Sequence, residues 1–140
     1  MPVEIHILID CEHHDEIMAA TDLCKEHGLN AAAGALVAYT EANQRRVGRL
    51  WIDSNAIHIA GTFGMEKACG TNDIPADKSI VLRAKEALPI LEEGLERLVT
   101  VDDGSPVLAL YSYDNLVGVV SRYIAFCRRY PEAWVNLYNG

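Results

Sequence analysis

The sequence predicts an α+β fold, with a mixed sheet of four or five strands and three main helices packed mostly on one face. Short β-branched runs are typical of strands, and three longer segments repeat apolar residues at helical spacing. Half of the residues are apolar and 23% are charged, as in globular rather than disordered proteins. A chain of 140 residues is long enough to bury a core without disulfides, so we expect one domain over residues 1–140.

The N-terminal part gives the clearest elements. Residues 3–9 alternate and then run apolar, with many β-branched side chains, which favours a central strand. A helix is predicted over residues 14–27, ended by the left-handed conformation that Gly28 can adopt. The side chains expected to face inward from this helix are Ile17, Ala20, Leu23, Cys24 and His27.

The next segment has two interpretations. Residues 30–47 could form a helix or a hairpin, and we prefer the helix slightly because alanine is a good helix former and a poor strand residue. Further along, residues 49–52 and 56–60 resemble two short strands around a polar turn, Asp53-Ser54-Asn55, which predicts a hairpin.

The C-terminal half is predicted to begin with a surface loop over 71–78 and a strand over 79–82. Leucines and alanines then repeat along one face of a helix over 84–98. A turn at 102–106, a strand over 107–111 and a helix over 114–129 follow. The apolar tail after Pro131 should pack as an edge strand or at a subunit contact.

Charge and composition exclude several classes of function. The formal net charge of −8 argues against binding nucleic acid or an anionic membrane surface, which requires clustered lysine and arginine. The apolar runs are shorter than a membrane span, and the first residues lack the pattern of an export signal. We therefore expect a cytoplasmic protein whose four cysteines are thiols or metal ligands.

Two acidic blocks stand out. Residues 1–26 carry seven acids against one lysine, a balance of −6, and residues 86–103 carry six acids against one arginine, a balance of −5. Such blocks can dock on a basic protein partner, although solvated helix faces are the more common explanation. The sequence leaves both interpretations open.

Ligand-type side chains cluster after the first strand. Cysteine and histidine are the side chains that zinc prefers, and a structural site takes four of them. The candidate ligands are Cys11, His14, Cys24 and His27. The Cys11-x-His13 spacing is shorter than in finger-type sites, so zinc is an alternative to our expectation that no cofactor binds.

The same segment has a catalytic interpretation. Asp10, at the end of a strand, could orient His13 or His14 for acid–base catalysis. Cys11 is expected to be a poor nucleophile, because the neighbouring carboxylates repel the negative charge of a thiolate. These residues do not make a complete catalytic set, so the sequence favours a protein that is not an enzyme.

Aromatic residues and arginines gather near the C-terminus, and both types are enriched at the energetic centres of protein interfaces. The candidate binding residues are Tyr123, Arg128, Arg129, Trp134 and Tyr138. We therefore expect a small acidic binding protein, an inhibitor or immunity-type factor, that forms a homodimer and contacts a protein partner of basic character. The alternatives are a small enzyme or metal-dependent hydrolase using Asp10, His13 and His14, and a small-ligand sensor with a pocket between the sheet and the last helix.

Overall fold

The computed structural model describes residues 2–71, 74, 79–100 and 110–139. These residues form an α+β fold of four strands and six helices, as the sequence predicts. The strands are β1 (Val3–Ile9), β2 (Arg45–Ile52), β3 (Ser79–Arg83) and β4 (Trp134–Asn139). The helices are α1 (His14–Glu26), α2 (Asn30–Ala42), α3 (Ser54–Thr62), α4 (Glu66–Cys69), α5 (Ala84–Val99) and α6 (Leu110–Arg129).

The strands form one sheet in the order β2-β1-β4-β3. Each neighbouring pair is antiparallel, so the expectation of a mixed sheet is wrong in that detail. The C-terminal strand β4 lies between β1 and β3, which corrects the prediction of an edge strand or a free subunit contact. A single sequence contains no signal for strand order, because order depends on which distant strands meet.

The predicted hairpin after residue 48 is also wrong. Its first strand exists as part of β2, but residues 56–60 belong to α3. The Asp53 side chain accepts a hydrogen bond of 2.8 Å from the backbone N–H of Ala56. This contact is a helix N-cap, and it starts a helix at the point where the sequence suggested a turn between strands.

The other predicted helices are present. The slight preference for helix over residues 30–47 is confirmed by α2 as far as Ala42, whereas residues 45–47 already belong to β2. The left-handed Gly28 that follows α1 has a φ of 73°. The predicted strand over 107–111 is wrong at Leu110 and Tyr111, which begin α6. Short apolar runs fit a helix start as well as a strand. Residues 107–109, the turn at 102–106 and most of the loop over 71–78 lie outside the described residues.

The core lies on one face of the sheet, under α3, α5 and α6. Alternation along β1 buries Val3, Ile5 and Ile7 on this face, and the side chains between them point to the other face. At the centre of the core the Tyr123 hydroxyl donates a hydrogen bond of 2.8 Å to the carbonyl of Ala68. None of the described helices is long and apolar enough to cross a membrane.

Candidate functional site

The face of the sheet opposite the core is open. Among the residues that the register assigns to this face are Glu4, His6 and Leu8 of β1, Arg49 and Trp51 of β2, Val81 and Arg83 of β3, and Trp134, Asn136 and Tyr138 of β4. None of these residues is buried. The helices that build the core all pack on the other side. We call these ten residues the open face.

A cross-strand network orders the middle of the open face. Glu4 accepts a hydrogen bond of 2.8 Å from His6 Nε2 and pairs with Arg49 on the neighbouring strand. The His6 hydrogen bond, together with the Arg49 charge, holds the pKa of the Glu4 carboxyl below its usual value. The edge of the His6 ring meets the Tyr138 ring at a centroid distance of 5.1 Å. Three strands are thus linked through side chains as well as through the backbone.

Both tryptophans of the open face have an arginine beside them. The Arg83 guanidinium carbon lies 3.4 Å from the Trp134 ring centroid, and Arg83 Nη1 also donates a hydrogen bond of 2.7 Å to the Glu132 carbonyl. On the same face, at the β2 edge of the sheet, the Arg49 guanidinium carbon lies 5.7 Å from the centroid of the Trp51 ring, and Trp51 is 49% exposed. Arginine attracts the negative face of an aromatic ring, so these contacts restrain the ring orientations.

A second feature adjoins the open face at the end of β1. It is a pocket of about 520 Å³ lined by Asp10, Cys11, His13, His14, Asp15, Glu16, Arg83 and Glu132. We call it the strand-end pocket. Arg83 belongs to both features, so the pocket opens beside the Trp134 end of the open face. Four of its eight residues are acidic, which makes this end of the site negatively charged.

The candidate catalytic residues line this pocket but do not form a linked set. Asp10 Oδ2 and His14 Nε2 are 3.7 Å apart, beyond hydrogen-bond distance. Asp10 Oδ1 and His14 Nδ1 are buried atoms with no hydrogen-bond partner among the described residues. The His13 side chain is 70% exposed and lies 3.4 Å from Glu12. Asp10 and His14 are therefore neighbours, whereas His13 turns towards solvent.

The predicted zinc ligands are not brought together. Cys11 and His14 lie at the start of α1, whereas Cys24 and His27 lie at its end. A helix rises about 1.5 Å per residue, so about 15 Å separates His14 from Cys24. Within the described ranges, no three histidine, cysteine, aspartate or glutamate side chains are grouped so that they could hold a metal ion. The structure therefore does not place the four candidate ligands at one point.

The predicted C-terminal binding residues separate into different places. Trp134 and Tyr138 lie on the open face, four residues apart on one strand. Tyr123 is fully buried and has to be withdrawn as a surface residue. Arg128 pairs with Glu92 at 3.2 Å on the helical layer, and Arg129 donates to the Tyr130 hydroxyl at 3.0 Å. The sequence therefore identified two members of a larger face rather than one C-terminal surface.

Sequence reasoning missed most of the open face. Glu4 and His6 could have been found, because alternation along residues 3–9 already separates them from the buried isoleucines. Arg83 and Glu132 had no such signal, since their proximity to Asp10 arises from the position of β4 beside β1. A cavity that α6 lines lies between α5 and α6, at Glu92, Leu95, Glu96, Val99, Ser121, Ile124 and Arg128. The predicted sensor pocket, between the sheet and the last helix, stays a prediction.

Comparisons with protein-family models, with curated proteins and with solved structures found no match to this chain.

Proposed function

We propose that this protein works by binding another protein through the open face, as an inhibitor or immunity-type factor does. The observation that carries the proposal is the unburied sheet face with two tryptophans and a tyrosine, each beside a charged or polar neighbour. Tryptophan, tyrosine and arginine are the residues that contribute most to binding energy at protein interfaces. An antiparallel sheet can leave one face to water, but that face is then usually polar.

The rings of the open face are held before any partner arrives. Arg83 stacks on Trp134, and the His6 edge contacts Tyr138. Binding therefore costs less side-chain entropy than it would with freely rotating rings. This restraint supports a recognition surface rather than a set of accidental exposed residues.

Charge indicates the kind of partner. The strand-end pocket adds Asp10, Asp15, Glu16 and Glu132 at one end of the open face, while the chain as a whole carries −8. A partner with lysines or arginines opposite this end would be attracted over a distance and oriented on contact. We therefore propose a protein partner with a basic patch, whose association slows as the salt concentration rises.

The test uses the full chain, immobilised, to capture proteins from a lysate in parallel with its variants. Trp51→Ala and Trp134→Ala alter the two ends of the open face, and Val99→Ala is the control, since Val99 is 54% exposed on the helical layer. A protein retained by the wild type and by Val99→Ala but lost with both tryptophan variants is then purified and titrated calorimetrically. Each tryptophan change should weaken its binding at least about tenfold. Retention that is the same for all four chains would refute the proposal.

A second candidate function follows from the strand-end pocket. Asp10 and His14 present two buried polar atoms without a partner, and such atoms are costly unless something hydrogen-bonds them. A small polar ligand or a substrate there would satisfy both, which keeps the enzyme alternative open. Under that hypothesis His14→Ala abolishes an activity with little effect on the melting temperature. A thermal-shift screen of small polar molecules tests it, because a ligand of this pocket stabilises the wild type but not Asp10→Asn or His14→Ala.

A further inference from the structure

The hairpin formed by α1 and α2 is poorly buried. The two helices are joined by a turn of three residues and pack mainly against each other. Thr21 is the only buried residue of α1, and Ala33 and Thr40 are the only buried residues of α2. The predicted inward stripe of α1 is therefore wrong, because Leu23 within it is more than half exposed. We call residues 14–42 the helical hairpin.

The buried contact between α1 and α2 is too small to stabilise the helical hairpin by itself. The hydroxyls of its two buried threonines donate within their own helices, to the carbonyls of Ile17 at 2.9 Å and Val37 at 2.7 Å. They add no bond between α1 and α2. Helices of this length are marginal in water unless an apolar face is packed. The helical hairpin therefore gains stability if a further surface covers it.

The exposed side of α1 is charged, whereas that of α2 is almost entirely uncharged. Leu23, Leu29 and Tyr39 are each more than half exposed and are three of the seven large hydrophobic side chains that are exposed among the described residues. Glu41 is the single charged residue of α2. An exposed helix with a single charged residue is unusual on a chain of net charge −8, because surface helices normally carry several charges on the face towards water.

We infer that a second copy of this chain covers the helical hairpin, with α2 packed antiparallel against α2 of the other copy around a two-fold axis. Two molecules of charge −8 repel each other, and α2, whose only charged residue is Glu41, adds little to that repulsion. A two-fold axis brings the end of one α2 to the start of the other. The exposed Arg45 and Arg46, which follow α2, then meet Asp22 and Glu26, which precede it. The interface therefore combines an apolar centre with opposite charges at both ends.

The inference does not depend on the proposed partner surface. The helical hairpin connects β1 to β2, and its first turn, His14 to Glu16, lines the strand-end pocket, but α2 contributes no residue to that pocket or to the open face. A dimer formed in this way leaves Trp51 and Trp134 available to a partner. Loss of one activity can consequently be distinguished from loss of the other.

Sedimentation velocity of the full chain over a range of micromolar concentrations tests the inference. The wild type should sediment as a dimer, and Tyr39→Glu should raise the dimer dissociation constant at least about tenfold. Val99→Glu is the matched control, because it adds the same charge at a valine of similar exposure, and it should leave the dimer unchanged. Circular dichroism confirms that each variant is folded.

A charge exchange tests the antiparallel arrangement. Arg46→Glu should weaken the dimer, and adding Glu26→Arg in the same chain should restore it, because each copy then carries the reversed pair. A wild type that is monomeric at the highest concentration would overturn the inference. So would a dimer that survives Tyr39→Glu, or one that Trp51→Ala dissociates, since the latter would assign self-association to the open face.

Discussion

The two tyrosines proposed at the sequence level as binding residues have opposite roles in the structure, and this difference can be measured as stability. Tyr123 is fully buried, and its hydroxyl donates to the Ala68 carbonyl at 2.8 Å. Burial raises the pKa of Tyr123 well above its usual value, so the hydroxyl remains protonated as a donor. Tyr138 lies on the open face, where its hydroxyl accepts a bond of 3.1 Å from Asn136.

The change to test is Tyr123→Phe, which removes one oxygen and leaves the ring in place. The Ala68 carbonyl is then buried without its partner, which costs about 1–3 kcal/mol of unfolding free energy. For a domain of this size, 1 kcal/mol corresponds to roughly 3–4 °C in melting temperature. We therefore expect the melting temperature to fall by roughly 3–12 °C.

Urea unfolding followed by circular dichroism measures both variants, and the unfolding slope should be unchanged because the fold is the same. Tyr138→Phe is the control, and it should shift the free energy of unfolding by less than about 0.5 kcal/mol, as most surface changes do. Equal losses for the two variants would refute the assignment of Tyr123 to the core and Tyr138 to the open face. A fully stable Tyr123→Phe variant would refute it as well.

Three further predictions follow from local contacts. Gly94→Ala should destabilise the fold by about 1–3 kcal/mol, because the added Cβ would collide with Met65 Cγ. Gly118→Ala is the control, since its Cβ would meet nothing within 4 Å, and it should stabilise α6 by up to about 1 kcal/mol. Urea midpoints measure both changes. The pKa of Glu4 is lower in the folded protein, so this carboxylate contributes stability that is present above its unfolded pKa and lost as the pH falls through its folded pKa. The difference in urea midpoint between the wild type and Glu4→Gln should therefore shrink in acid. A difference that does not change with pH would contradict this. Burial raises the pKa of the Cys69 and Cys127 thiols to about 12. Alkylation at mild alkaline pH should therefore label the half-buried Cys11 and Cys24 and spare the buried Cys69 and Cys127 until urea is added, as mass spectrometry can show.

The sequence predicted the elements whose signal is local. The β-branched alternation of β1 and the leucine stripe of α5 are visible within short windows, and both elements are present with nearly the predicted bounds. The helix α3 was missed because its apolar residues are few and Asp53 can start a turn or a helix equally well. Local pattern decides such cases only when the segment is long.

The candidate site was predicted in part for the same reason. Asp10 and His14 are four residues apart, and a turn from a strand into a helix is enough to bring them close, so the sequence could identify them together. Tyr123 was misassigned because an aromatic residue on a helix fits a core and an interface equally well. The open face draws its residues from all four strands, and only the strand order brings Trp51 and Trp134 onto one surface.

The position of β4 explains why Trp134 and Tyr138 suit recognition better in this fold than they would on a free tail. Backbone hydrogen bonds to β1 on one side and β3 on the other fix the strand that carries them. An edge strand or a tail would have to be ordered on binding, at an entropic cost of about 1–2 kcal/mol for each residue fixed. In β4 that cost is met during folding, by the burial of Val135 and Leu137 on the opposite face. The residues that build the core and those of the open face therefore alternate along one strand, so the fold that orders the core also orders the open face.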